Sequence, residues 1–417
     1  YWTMEDHTNY FSSIQKLRID KTSSLVEHFR RTSQLSQLLI QSLTFTILLL
    51  ALVAILNNQL TTDSLAIGNL IVFLCILIQA FLVLFLVHWK WNRLDLSVDA
   101  VIKFFASGFL LTTGLAMFFE MLTSTAFQII FEILAALWNS VDNHTLNEED
   151  TTTKTTTYPI LTLLYLILNA YAVAALIEEL CKYFGFWMVD HPDLAIPVTA
   201  MSTIHPLNGE PVTNVLTTEE APLPTESSLT DTTTITTILS EQRERRSYVS
   251  LGSAITISMI AVSLGFACCE NLIYVFIYAR GNVNVEMTVL LMRSLFPIHP
   301  LAAAIQSIGV VKRDIEGIRQ FSIGRIIFPA VILHGTFDFL LMLMAFIGGQ
   351  YSSKDDNKED ETISSTMVII SLICFVTSIL VVLIGFCFYF KEARAQRARL
   401  AILDNHEILA SAYISLV

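Results

Sequence analysis

The chain has 417 residues, 53% of them hydrophobic and only 15% charged, with a mean hydropathy of +0.59, which excludes an ordinary soluble composition and points to a membrane-embedded protein. The net charge of −12 sits mostly in loops such as 147–150 and 354–361, and the basic residues are scattered beside apolar segments, so nothing suggests nucleic-acid binding. All six cysteines lie in apolar segments without a CxxC pair, which indicates neither a disulfide framework nor a structural zinc site.

A membrane-crossing helix needs about 20 mostly apolar residues. Eight such spans are read at roughly 37–56, 66–88, 101–122, 159–187, 252–279, 286–311, 326–348 and 365–390. Residues 124–138 are apolar but short, and a further crossing would reverse the sides of all that follows, so a re-entrant or interfacial helix is expected there. The predicted fold is therefore an all-α polytopic bundle of about eight spans plus that short helix.

Basic residues decide the orientation. Arg18, Lys21, Arg30 and Arg31 precede the first span; Lys90, Arg93 and Lys103 follow the second; Arg243, Arg245 and Arg246 precede the fifth; Lys312, Arg313, Arg319 and Arg325 follow the sixth; Lys391, Arg394, Arg397 and Arg399 follow the eighth. All five clusters fall on one side of an eight-span chain, which predicts cytosolic termini. The sequon at Asn143 then lies on the opposite side, where it would accept a glycan.

The 190–248 connection is threonine-rich and punctuated by six prolines, with too few large apolar residues to build a core. It is expected to be a disordered cytosolic loop. The organisation that follows is a cytosolic segment 1–36, N-terminal spans 37–158, a core 159–348 interrupted by that loop, and a last span with its tail at 349–417. No internal repeat is visible.

Four of the predicted spans carry ionisable residues unsuited to lipid. A charge at the bilayer centre costs about 2.5–3.5 kcal/mol on insertion scales, so such groups normally face a bundle interior or a wet cavity. The fourth span holds Glu178, Glu179 and Lys182. Either acid can reach the lysine one turn on, and a natural division pairs one with Lys182 and leaves the other as proton acceptor. Juxtamembrane charge near a helix end is the plainer explanation. The fifth span carries Glu270 beside Asn271, with Phe266 one turn earlier; a packing acid satisfied by its neighbours is the alternative. In the sixth, Arg293 precedes Pro297-Ile298-His299-Pro300, where the prolines are expected to break the helix and let His299 line a cavity. In the seventh, His334 and Asp338 are one turn apart, so either the acid fixes the imidazole tautomer or both project separately into the cavity; a satisfied core histidine is the plainer explanation.

At these residues the chain resembles the PrsW family of intramembrane proteases, in the superfamily of the CAAX prenyl endopeptidases. The resemblance spans roughly 159–348 and rests on EExxK (Glu178, Glu179, Lys182), FxxxE (Phe266, Glu270), a histidine in the following helix (His299) and HxxxD (His334, Asp338). It implies peptide-bond hydrolysis in or beside the bilayer, on membrane-anchored substrates, without a covalent acyl-enzyme. Glu178 or Glu179 would be the general base, Glu270, His299 and His334 would complete the site, and Asp338 would orient a neighbour or, if protonated, help hold the tetrahedral oxyanion. Lys182, Phe266, Asn271 and Arg293 would support them. A metal-free glutamate mechanism is favoured; if zinc is used, Glu179, Glu270, His299 and His334 are the candidate ligands. The competing functions are a silent membrane scaffold and a proton-coupled transporter. Counting along the helices raises one difficulty: Glu270 sits far along its span, so it reaches the other groups only if that helix begins well outside the bilayer.

Overall fold

The structure, a computed structural model, describes residues 32–58, 63–143, 159–195, 246–273, 296–318, 320–352 and 365–414. Every regular element among them is helical. This is the arrangement that long apolar segments impose in lipid, where each backbone N–H and C=O must be satisfied within its own segment. Helix α1 is Gln34–Asn58 and α2 is Asp63–Leu84, extended by a π-helical turn at Phe85–Trp91. Helix α3, Val98–Ala106, passes through a second π turn, Ser107–Thr112, into α4, Thr113–Asn143. Helix α5, Pro159–Leu168, passes through a third, Asn169–Ala175, into α6, Leu176–Trp187. Helices α7 (Tyr248–Ile273), α8 (Ile298–Asp314), α9 (Ile323–Ser352) and α10 (Ser365–Ile414) complete the bundle.

Among the described residues, seven helical stretches are long and apolar enough to cross a membrane: 34–52, 73–90, 98–137, 160–187, 248–273, 323–344 and 372–406. Large apolar side chains such as Phe45, Phe81, Ile133 and Ile384 are exposed on their outer faces, as lipid contact requires and water would penalise. The chain is thus an integral, multi-pass all-α membrane protein. Three details differ from the sequence expectation. Residues 124–138 form no separate short helix; nothing after Gly114 breaks the α4 ladder, which runs 31 residues, or about 46 Å, well beyond a ~30 Å hydrocarbon core. The proposed sixth span is represented by α8 alone, 17 residues, and its expected beginning at 286–295 lies outside the described residues. Helix α10 continues for 50 residues, about 75 Å, so the tail after 390 prolongs the last span. Most of the 190–248 connection also lies outside the described residues. Its described flank is anchored: the Ser97 N–H donates to Asp193 Oδ2 at 2.8 Å, and His191 Nε2 is 3.2 Å from Asp99 Oδ2.

Helix α7 is the axis of the bundle. It packs against α2, α3, α6, α8 and α10, and nearly all its side chains are buried, from Leu251 to Leu272. It meets α3 and the α3–α4 turn backbone to backbone. A Cβ added at Gly108 would collide with the Val262 carbonyl, and one added at Gly265 with the Phe105 carbonyl. Two glycines back to back therefore let the helix backbones touch. The first turn of α7 is capped from another helix, since Asp404 of α10 accepts from the N–H groups of Tyr248 (2.6 Å) and Val249 (3.3 Å). Asp404 thus ties the start of α7 to the far part of α10. At the other end of α7, Glu270 Oε2 lies 2.9 Å from His299 Nε2, so Glu270 does reach the other polar groups.

Candidate functional site

The site lies where α6, α7, α8 and α9 converge. Helix α6 enters directly from the 169–175 π turn, whose extra residue per turn re-aims the side chains that follow; such turns often mark functional positions. The freed carbonyls are partly compensated, as Asn169 Nδ2 donates to Tyr165 O at 2.9 Å. The face of α6 after the turn buries Glu178, Glu179 and Lys182 together. On α8, Pro297 and Pro300 stand at the helix start, where a missing N–H costs nothing. They stand where α8 starts after non-helical 296–297, the segment before 296 lies outside the described residues, and they set His299 in the first turn. On α9, Gly335 lets the helix rest on the Tyr171 ring of the π turn, which holds His334 against α6.

Lys182 Nζ is the centre of the cluster. It donates to Glu178 Oε2 (3.0 Å), Glu179 Oε1 (2.8 Å) and His299 Nδ1 (2.8 Å), which uses all three of its protons. The Phe266 ring lies 4.3 Å from the ammonium, a cation–π contact that covers the charge. Both acids contact the lysine, so the expected division into one paired and one unpaired glutamate is not what the bundle adopts. The two acids differ instead in their remaining oxygens. Glu179, with no exposed surface, also accepts from His334 Nδ1 (2.8 Å) and, at Oε2, from Gln306 Nε2 (2.6 Å). Glu178 makes its hydrogen bond through Oε2, and its Oε1 has no hydrogen-bond partner among the described residues.

The lysine fixes the imidazoles too. An ammonium can only donate, so His299 Nδ1 is an acceptor and the ring proton is on Nε2, 2.9 Å from Glu270 Oε2. His334 donates from Nδ1 to Glu179, and its Nε2 lies 3.2 Å from Asp338 Oδ2. The two rings meet edge to face with centroids 4.9 Å apart. Glu178, Glu179, Lys182, Glu270, His299 and His334 are all buried, and Asp338 is the most open, with its side chain 19% exposed.

The sequence-predicted groups Glu178, Glu179, Lys182, Phe266, Glu270, His299, His334 and Asp338 thus lie in one connected network. Asn271 is buried next to it in the chain. Arg293 and the Asn143 side chain lie outside the described residues. Two further groups were not read from the sequence. Gln306 follows His299 by seven residues, two turns on the same face of α8, and that spacing was the available signal. Glu120, on α4, is near enough to Glu178, Glu270 and Lys182 to feel their charge, and its Oε1 is buried without a hydrogen-bond partner among the described residues. A lone acid in an apolar run was the signal there.

The donor chemistry also fits a metal ion. One atom from each of Glu178, Glu179, His299 and His334 lies within 4.8 Å of the others, and two imidazoles with two carboxylates form a zinc-type set. Glu178 replaces Glu270 in the ligand set expected from sequence, because Glu270 stands behind His299 on the far ring nitrogen. Lys182 Nζ lies 2.8–3.0 Å from one atom each of Glu178, Glu179 and His299, so the ammonium would compete with an ion for these donors.

Residues 235–392 match the family model described as PrsW family intramembrane metalloprotease. The matched segment contains Glu270, His299, His334 and Asp338; the EExxK residues precede it. No curated protein and no solved structure matches the chain.

Proposed function

We propose that this chain, matched over residues 235–392 to the PrsW family of intramembrane proteases, cleaves peptide bonds of membrane-anchored proteins with water activated by Glu178. The observation that carries this reading is the asymmetry of the two adjacent acids. Glu179 is engaged at both oxygens, whereas Glu178 keeps Oε1 uncommitted beside a buried ammonium and two imidazoles. In the reaction, Glu178 Oε1 takes a proton from water as the water oxygen bonds to the scissile carbonyl carbon. The resulting oxyanion is stabilised by the positive charge of Lys182 and by the His334–Asp338 pair, in a medium where such charges act strongly. Glu178 then returns the proton to the amide nitrogen as the C–N bond breaks. Glu179, Gln306 and Glu270 hold Lys182, His334 and His299 in place. The basic ends of the helices support cytosolic termini, with 159–348 as the protease core.

A second form of the same activity is favoured by the Glu178, Glu179, His299 and His334 cluster. An ion held there would supply Lewis acidity and generate hydroxide near neutral pH. The test reconstitutes the purified chain with single-span reporter proteins and measures cleavage beside zinc content. Cleavage that survives chelation and is lost in Glu178→Gln supports the metal-free reading. Stoichiometric zinc with chelator-sensitive cleavage selects the metal form. Folded protein that binds reporters and never cuts them points to a scaffold.

A further inference from the structure

A second cavity, separate from the acid–histidine cluster, lies on the other side of α8. It has a volume of about 720 Å³, in the range of small-molecule sites, and is walled by α2, α7, α8 and α10. Its floor includes Pro297 and Pro300, the residues that bracket His299, so α8 separates the two sites.

The walls change character along their length. On α10 the lining begins with Phe386 and Phe390 and ends with Arg394, Arg397 and Leu400. Facing it, α7 contributes Ile260 and Ile257 at the same deep end and Thr256 and Ser253 nearer its start. The two helices are in register because Asp404 caps the first turn of α7. Both walls therefore pass from apolar to polar in the same direction. From Phe386 to Leu400 is 14 residues, about 21 Å of helix, enough for one ~15 Å leaflet of hydrocarbon and the start of the headgroup layer.

The charge at the polar end is also unbalanced. Nearby cations are paired: Lys312 with Glu392 at 3.0 Å and Arg399 with Glu316 at 2.7 Å. Arg394 and Arg397, which line the cavity, have no carboxylate partner among the described residues. They are three residues apart and so share a face of α10. An apolar crevice about one leaflet long that ends in two guanidinium groups without a carboxylate partner among the described residues complements an anionic amphiphile: the acyl chain fills the crevice and the phosphate is held by planar donors suited to it.

We propose that this cavity binds an anionic phospholipid, with its phosphate on Arg394 and Arg397. Basic side chains at a membrane surface contribute about 1 kcal/mol each towards anionic lipid, so removing both arginines weakens binding about 10–30-fold.

The experiment uses the full chain in detergent and measures binding of phosphatidylglycerol and phosphatidylcholine by native mass spectrometry and thermal shift. Phosphatidylglycerol is expected to bind preferentially, with the preference lost in Arg394→Gln/Arg397→Gln. It is retained in Lys90→Gln/Lys391→Gln, which removes the same charge from positions that do not line the cavity. Ser253→Trp, which fills the crevice and leaves both arginines, is expected to abolish tight binding of either lipid. Equal binding of the two lipids, an equal loss in the Lys90/Lys391 variant, or unchanged binding in Ser253→Trp would each overturn the proposal. So would equal protection by inorganic phosphate alone, which would identify a headgroup site without a chain.

Discussion

Glu178 and Glu179 are adjacent, chemically identical and buried in one cluster, yet their substitution by glutamine should have opposite consequences. Glu179 accepts from Lys182, His334 and Gln306, and an amide in its place presents an NH2 to at least one of these donors. Each hydrogen bond to a charged group is worth about 1.5–3 kcal/mol, and breaking a buried pair costs about 3–5 kcal/mol because a charge is left uncompensated. Glu179→Gln should therefore destabilise the bundle by about 3–5 kcal/mol. Glu178→Gln can keep its amide oxygen towards Lys182 and turn NH2 to the position of Oε1, which no side chain among the described residues engages. Its stability cost should stay near 1–2 kcal/mol, while the loss of a general base lowers cleavage by about 10²–10⁴-fold. The assay pairs thermal unfolding in detergent with cleavage of a single-span reporter in proteoliposomes. Equal stability of the two variants, or near-normal cleavage by Glu178→Gln, would refute the assignment of roles.

Gln306→Leu removes the donor to Glu179 Oε2 and leaves that oxygen buried and unsatisfied, so a loss of about 1.5–3 kcal/mol is expected, read as a lower unfolding temperature. Lys182→Met should cost about 3–5 kcal/mol by stranding two buried carboxylates. If those acids also bind zinc, added zinc restores the unfolding temperature of this variant and the ion is retained on desalting; with no metal function it restores nothing. Gly265→Ala should sharply reduce folded yield, because the new methyl meets the Phe105 carbonyl. Gly114→Ala, which has open space around it, should be neutral or stabilising by up to about 1 kcal/mol. Asp404→Ala uncaps α7 from α10 and should cost about 1 kcal/mol, with faster hydrogen exchange at Tyr248 and Val249.

The contacts that were legible in advance are those within one helix. Glu178 and Glu179 reach Lys182, and His334 reaches Asp338, because three- and four-residue spacings place side chains on one face whatever surrounds them. The membrane class was legible for a similar reason: apolar length and scarce charge are properties of a segment, and the lipid selects helix for any such segment. The motif order on successive spans then suggested that the polar faces meet.

Which faces meet, and through which atoms, was decided by the bundle. Lys182 bonds His299 across 117 residues of chain and Glu179 bonds His334 across 155. Those contacts depend on the π turn that re-aims α6, on α8 beginning at Ile298 just after Pro297, and on the Asp404 cap that ties the start of α7 to α10. They depend also on Gly108 and Gly265, which bring α3 and α7 to backbone contact and so fix the position of the axis that carries Glu270. None of these is a matter of periodicity. A helix's own pattern says only that a polar face must be hidden; the crossing angles and offsets of its neighbours determine that Glu179 ends engaged at both oxygens while Glu178, one residue away, keeps Oε1 without a hydrogen-bond partner among the described residues.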